Sequence, residues 1–491
     1  MLFSIFLHIY QPEDQYPDVL DRIVNESYRP IFKFLVKNPS CHLTFNINAV
    51  LTELWDRYHY TDLIDNVKTL IDRDQIELTE SAKYHAFLPL IPHSEVVRQI
   101  ELNHETNKFY FGKNYHPAGF FSPEMSYSPK IVQVIGEMGY KYILADEIAY
   151  NGKLDQCKFN AIYKIKGTEV NVYFRHKNLS NIIMGANIRP TAELVPVIKK
   201  YSSELSSLSY LLVAMDGETF GHHRIGLEKL LFGLLQAKEL NNVTISQIAK
   251  HIKKTQEVTP VDSTWASSEK DLANGTPFNL WYEKENRIHQ LQWELTGLAI
   301  STVSNNANST NSSNSESRKL LDSALHSCHY WWASAKPWWS LEMIELGAYK
   351  LWQVVEQSLT AKPEEKEKAF KLYQDIIATA FSWQRTGYVR KLAGDEKQQI
   401  KVPFKDRGKP GEYKALLELL EKQEKLCAQK GEYEQAIRWR DGRYKLKNNL
   451  DIYDAVHVID QLRQEEVFKD YDNLVQRYSH YKTLSPGQPE K

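Results

Sequence analysis

Short apolar runs recur through the first half of the chain, each followed by a segment whose apolar positions repeat at three and four. The runs are LFSIFLHI (residues 2–9), HLTFNIN (42–48), QIELTE (75–80), AGFFSPE (118–124), YILADE (142–147), VNVYFRH (170–176) and YLLVAMDGE (210–218). Between them, SEVVRQIELNHETNKFYF, PKIVQVIGEMGY and TAELVPVIKKYSSEL carry the helical period. Strand, helix, strand repeated in this way predicts a parallel sheet in an α/β fold. Seven repeats over roughly 220 residues predict a closed or nearly closed barrel.

Each run ends in polar or ionisable residues: His8, Asn46 with Asn48, Glu77 with Glu80, Glu124, Asp146 with Glu147, Arg175 with His176, and Asp216 with Glu218. In a parallel α/β barrel the C-terminal strand ends surround the active site, so these endings should converge on one mouth. In the first run Ser4, Phe6 and His8 share parity, which points His8 inward and leaves Phe3, Ile5 and Leu7 to pack against helices.

After about residue 290 the pattern is helical only, in WELTGLAIS, SRKLLDSALHSCHYWWAS, SLEMIELGAYKLWQVVEQSL and KEKAFKLYQDIIATAFSWQR. The expected organisation is a barrel over residues 1–290, a helical bundle over 291–410 and a hairpin region over 411–491. SNNANSTNSSNSES, at about 304–317, reads as a disordered loop between helices. EYKALLELLEKQEKLCAQKGEYEQAIRWRDGRYKLKNNL reads as a charged helical hairpin with KGEY at its turn. It resembles the hairpin motif of excision-repair nuclease subunits, which would imply a protein partner, but the loose spacing favours a solvated terminal hairpin.

Composition removes several function classes. Lys and Arg number 61 against 62 Asp and Glu, so no net field favours nucleic acid or an anionic membrane. Four separated cysteines without a CxxC pair argue against a disulfide framework or a zinc knuckle and point to a cytoplasmic location. MLFSIFLHIYQPED has neither a basic start nor a small-residue cleavage site, so no signal peptide is expected. No stretch reaches the ~20 apolar residues of a membrane span.

Three chemistries compete for VAMDGETFGHHRIG at 213–226. Asp216, Glu218, His222 and His223 are suitable metal ligands, but adjacent histidines usually point apart and no H-x-x-x-H spacing occurs. The expectation is therefore no metal and no cofactor. A pair of carboxylates acting on a sugar needs one group to protonate the leaving oxygen and one to stabilise or attack the anomeric carbon, and Glu124 and Asp216 end different strands. Either alone could be a structural carboxylate. Eight of the eleven tryptophans fall between Trp265 and Trp352, among them Trp331, Trp332, Trp338 and Trp339. Flat rings stack on sugar faces as well as filling cores. On helical spacing Trp331 and Trp338 share a face, with Pro337 expected to break or kink the helix.

HIYQP at His8, QIELTESAKYHAFLPLI at 75–91, GFFSPEMSYSP around Glu124, MDGETFGHH around Asp216 and LHSCHYWWASAKPWW from Leu325 together resemble glycoside hydrolase family 57. The resemblance implies an incomplete (β/α)7 barrel followed by a C-terminal α-helical bundle domain that completes the active site. It implies a retaining glycosidase, α-amylase-like, acting on α-glucans or maltooligosaccharides, with Glu124 as nucleophile and Asp216 as general acid/base. His8, Gln11, Glu77, His85, Glu218, His222, Trp331 and Trp332 are the substrate-binding residues expected with it. Transfer by a 4-α-glucanotransferase or branching enzyme, α-galactosidase activity, and a catalytically silent glycan-binding protein remain the alternatives.

Overall fold

The computed structural model describes residues 1–186, 188–203, 209–304, 315–336, 338–393, 403–408, 410–451, 458–463 and 465–479. They fall into two compact units, Met1–Val389 and Arg390–Lys491. The first contains every described strand: β1 (Leu2–Ile9), β2 (Leu43–Ile47), β3 (Ile76–Thr79), β4 (Gly119–Phe120), β5 (Tyr142–Asp146), β6 (Ile162–Ile165), β7 (Asn171–Arg175), β8 (Tyr210–Asp216), β9 (Asn241–Asn242) and β10 (Thr255–Val258). Each of the seven apolar runs contains a strand, whereas β6, β9 and β10 are additions.

The fold is α/β, with mostly parallel strands and many helices. One sheet runs β3-β2-β1-β8 with β9 beside β1, and the other runs β10-β6-β7-β5-β4. All pairings are parallel except β6 with β7, a hairpin turning at Lys166 to Val170. All eight residues of β1 are buried, as a central parallel strand covered on both faces requires. Two backbone connections link the sheets. Glu80 and Phe120 form a parallel bridge, and the His176 N–H donates to the Leu212 carbonyl at 2.7 Å, joining the exit of β7 to β8.

Helices between the strands bury one apolar stripe each. In Thr61–Asp72 the buried residues are Leu63, Ile64, Val67 and Leu70, the spacing of a single helix face. From Arg287 onwards this unit is helical, and Leu341–Glu356 packs against both Arg287–Ser304 and Pro363–Thr386. The run SRKLLDSALHSCHYWWAS is interrupted between Ser315–Ala324 and Cys328–Trp331. There His326 bridges to Ala86 and the Ser327 N–H donates to the His85 carbonyl at 2.9 Å, so pairing with a strand-exit loop replaces helical hydrogen bonds. Of the low-complexity stretch, Ser304 and residues 315–317 are helical, and 305–314 lie outside the described residues, as does Pro337.

In the second unit the expected hairpin is formed by Glu412–Gln429 and Tyr433–Lys447. Leu416, Leu419, Leu420, Trp439 and Leu446 make its core, and Gly431 at φ 79° makes the turn. Among the described residues no helix is long and apolar enough to cross a membrane.

One glycine shapes the loop after β8. Gly221 has φ +110°, and a Cβ there would collide with the backbone carbonyl of Glu26. Gly139, at φ +89°, has nothing near its missing Cβ. Gly221→Ala should therefore destabilise the protein by about 2 kcal/mol or more, through both strain and overpacking. Gly139→Ala should cost only the backbone strain, about 1 kcal/mol. Comparison of their denaturant midpoints checks this, and equal midpoints would contradict it.

Candidate active site

Register sets the floor of the site. His8 on β1 is level with Asn46 on β2 and with Asp216 on β8, so three polar side chains occupy one row at the C-terminal ends of adjacent strands. The His8 ring bonds Asn46 Oδ1 through Nδ1 at 2.7 Å and His85 through Nε2 at 3.0 Å. His85 comes from the loop after β3, and its ring stacks on Tyr10 with centroids 4.3 Å apart. Glu124 follows β4 by four residues.

The backbone is strained where these side chains enter. His85, Glu124 and Met125 have φ of 58°, 62° and 48°. Left-handed conformations of this kind cost about 1–3 kcal/mol each in a side-chain-bearing residue and persist only when the surroundings over-determine them. The surroundings here supply a Ser122–Ser126 hydroxyl bond at 2.6 Å, a Tyr127–Ser263 bridge, and a hydrogen bond from the Trp265 N–H to the Glu124 carbonyl at 3.3 Å.

Glu124 and Asp216 face one cavity of about 430 Å³. Trp265 Nε1–H donates to Glu124 Oε2 at 3.0 Å, and the Ser327 hydroxyl lies 3.4 Å from Oε1. Burial raises the Glu124 pKa, the nearby Asp216 charge raises it further, and the Trp265 and Ser327 donors oppose the rise. Burial also raises Asp216, followed by the charge of Glu218, against opposing contributions from His223 and Arg175. Burial raises the Glu218 pKa, against hydrogen bonds from Tyr28, from Gln11 Nε2–H at 3.1 Å and from the Tyr10 N–H at 3.3 Å that favour its charged form. Burial lowers His8 to about 4 and takes His85 well below its ordinary value, so both rings are neutral near pH 7.

The opposite wall is aromatic. Trp331 stacks on Trp338 with centroids 4.3 Å apart and meets Trp332 edge-on at 4.8 Å. Trp281, Leu280 and Met184 extend this apolar surface. Trp331 and Trp338 thus share a surface as their spacing suggested, although the helix ends at Trp331.

Of the ten residues singled out in the sequence, His8, Gln11, His85, Glu124, Asp216, Glu218, Trp331 and Trp332 line this cavity. Two do not. Glu77 has inward parity but is the second residue of β3, level with Thr44, two positions below the Asn46 row. It bonds Tyr142 Oη at 2.6 Å, the Ser246 N–H at 2.9 Å and the Ser246 hydroxyl. His222 leaves the site because the turn at Gly221 directs it outward to Glu26 Oε2, 2.6 Å away, and His223 takes the cavity position beside Asp216. Other polar strand endings are structural: Asp146 pairs with Arg175 at 3.0 Å, and Glu80 accepts from Asn103, His104, Tyr115 and Tyr140. Trp265, Ser327 and Tyr10 escaped sequence reasoning as site residues. Trp265 lay in the tryptophan-dense stretch and Tyr10 within HIYQP, whereas nothing local distinguishes Ser327.

The sequence pattern of Glycosyl hydrolase family 57 matches residues 4–261. Among curated proteins, "Alpha-amylase 1" of Dictyoglomus thermophilum is 27% identical over 223 residues, 45% of this chain and 31% of that protein. "4-alpha-glucanotransferase" of Thermococcus litoralis is 27% identical over 226 residues, 45% and 32% respectively. The aligned part therefore spans about a third of these relatives' length. Among solved structures, a GH57-type branching enzyme from Pyrococcus horikoshii superposes with TM-score 0.59 at 15% identity, over 77% of this chain and 96% of that one. The 4-alpha-glucanotransferase from Thermococcus litoralis gives TM-score 0.56 at 19% identity, over 74% and 59%. The matched segment is more than half of the 491 residues and contains Glu124, Asp216 and the strands that carry them, and on that ground the chain belongs to glycosyl hydrolase family 57.

Proposed function

We propose that this protein is a retaining glycoside hydrolase, α-amylase-like, that cuts α-1,4 linkages in α-glucans or maltooligosaccharides by double displacement. One observation carries the reading: two carboxyl groups from the ends of different strands, Glu124 and Asp216, face a single cavity whose other wall is tryptophan. Paired carboxyls are the chemistry of glycoside cleavage, and flat rings bind sugar faces. The relatives named α-amylase and 4-α-glucanotransferase support the same substrate class.

In this reading the Glu124 carboxylate attacks the anomeric carbon and forms a glycosyl ester while Asp216 gives its proton to the leaving oxygen. Asp216, now ionised, takes a proton from water, whose oxygen displaces Glu124. Two neighbouring half-buried carboxyls hold one proton between their titration steps. Donors from Trp265 and Ser327 favour the charge on Glu124, and the Glu218 charge favours the proton on Asp216.

The finer architecture follows the same proposal. The order β8-β1-β2-β3-β4-β5-β7, with the Glu80–Phe120 bridge and the His176–Leu212 hydrogen bond as its two seams, is read as an incomplete (β/α)7 barrel. The helical segment from Arg287 is read as the part that completes the site, since Ser327, Trp331 and Trp332 come from it. Four unpaired cysteines support a cytoplasmic location.

Transfer to a sugar hydroxyl is the second reading, favoured by the apolar wall, because a surface that stacks sugars and sheds water suits an incoming glucan. Incubation with maltooligosaccharides and chromatography of the products separates the outcomes. Shorter products establish hydrolysis, longer ones establish transfer, and binding without turnover establishes a silent glycan-binding protein.

Glu124→Gln and Asp216→Asn should each lower kcat by roughly 10²–10⁴-fold with unchanged thermal midpoints. Near-wild-type turnover in either variant overturns the assignment. Glu218→Gln removes a negative charge that holds the proton on Asp216, so the Asp216 pKa falls. The alkaline limb of kcat/KM should then move to lower pH, whereas an unmoved or raised limb contradicts the arrangement.

A further inference from the structure

The hydrogen bonds from β2 to Glu124 form a continuous buried chain. Asn46 Oδ1 meets His8 Nδ1 at 2.7 Å, His8 Nε2 meets His85 Nε2 at 3.0 Å, His85 Nδ1 meets the Ser327 hydroxyl at 2.9 Å, and that hydroxyl lies 3.4 Å from Glu124 Oε1. Ser327 is fully buried and is fixed through its backbone N–H to the His85 carbonyl, so its oxygen has little freedom except rotation of its hydrogen. We infer that Ser327 is a positioning residue for Glu124: its hydroxyl donates to the carboxylate in the attacking form. The inference rests on the reading of Glu124 as nucleophile.

The direction of the chain follows from counting hydrogens. Two neutral imidazoles carry one N–H each, so the contacts between Asn46 and Ser327 must all run one way. When Ser327 donates to Glu124, its oxygen accepts from His85 Nδ1–H, His85 Nε2 accepts from His8 Nε2–H, and His8 Nδ1 needs a donor from Asn46. The buried Nδ2 of Asn46 has no partner in the orientation that directs Oδ1 at His8. Rotating the amide by half a turn supplies that donor without moving any other atom.

The titratable groups facing Glu124 are Asp216, His85, Cys328 and Tyr10. Of these Asp216 and His85 bear most directly on it; Ser327→Ala leaves Asp216 untouched and removes the hydroxyl partner of His85 Nδ1. Loss of the hydroxyl removes a donor to the charged carboxylate, so the proton is held more tightly by Glu124. The limb of kcat/KM that reports Glu124 ionisation should move up by about one pH unit, the shift produced by one hydrogen bond to a charged group. At a pH below that limb kcat/KM should fall about tenfold, with KM nearly unchanged.

Ser327→Cys, similar in size and a weaker donor, should give an intermediate shift, and it serves as the test variant if the alanine form does not fold. The profiles are measured on maltooligosaccharides beside Glu124→Gln. An inactive Glu124→Gln together with the shifted limb supports the inference. An inactive Glu124→Gln with an unshifted limb in the folded Ser327 variants overturns it and leaves the nucleophile standing. An active Glu124→Gln overturns the nucleophile and the inference together.

Discussion

Two carboxyl groups withdrawn from water beside each other cannot both ionise without repulsion, and the surroundings of Glu124 and Asp216 determine where the single charge resides. Burial alone treats the two alike. What surrounds each is local: an indole N–H and a hydroxyl near Glu124, and near Asp216 a third carboxyl opposed by His223 and Arg175. The third carboxyl is itself buried, which raises its pKa, and the hydrogen bonds from Tyr28, Gln11 and the Tyr10 N–H oppose that rise. The HIYQP stretch after β1 therefore serves the site twice, through His8 in the strand and through Tyr10 and Gln11 beyond it. Each of these groups would be unfavourable alone in such a cavity, and each is tolerated because another compensates it.

The same constraint explains the backbone. Glu124 reaches the cavity from a two-residue strand followed by a proline, and it does so in a left-handed conformation that a glutamate does not adopt freely. His85 enters in the same way from the loop after β3. Rigid neighbours hold both: the strand row below, the Trp265 segment on one side and the Ser327 segment on the other. Strain of a few kcal/mol in total is sustained by a core that includes Phe6, Phe121 and Tyr127, all buried. A relaxed loop would leave the carboxyl direction unspecified.

What was legible in the sequence was whatever depends on period. Alternation in LFSIFLHI predicted His8 facing inward, and the apolar runs located seven of the ten described strands. Depth along a strand is less legible: Glu77 has the correct parity, but its row lies two residues below the mouth, and strand length cannot be read to that accuracy from IELT. Direction within a tight turn is less legible still. Gly221 interchanges the fates of His222 and His223, and only its close approach to Glu26 reveals which points inward. Of the β6–β7 hairpin, β7 was read from VNVYFRH, whereas β6 is a four-residue strand, IYKI, that went unread. Contacts between distant segments leave no local trace, as Ser327 demonstrates: its hydroxyl matters because of a hydrogen bond to a residue 242 positions earlier.

The division between matched and unmatched sequence has a chemical meaning. The family pattern ends at residue 261, so both carboxyls and the histidine pair lie within it, while Trp265, Trp281, Ser327, Trp331, Trp332 and Trp338 lie beyond it. On the proposed chemistry the first displacement is common to hydrolysis and transfer, and the acceptor is chosen only when the ester is opened. That choice depends on the relative stabilisation of water and of a sugar hydroxyl at one position. Carboxyls treat the two oxygens alike, because each needs only to give up a proton to Asp216. Tryptophan faces do not: they stack on a pyranose and offer water nothing. On this reading the tryptophan wall is therefore the part of the cavity able to discriminate between acceptors.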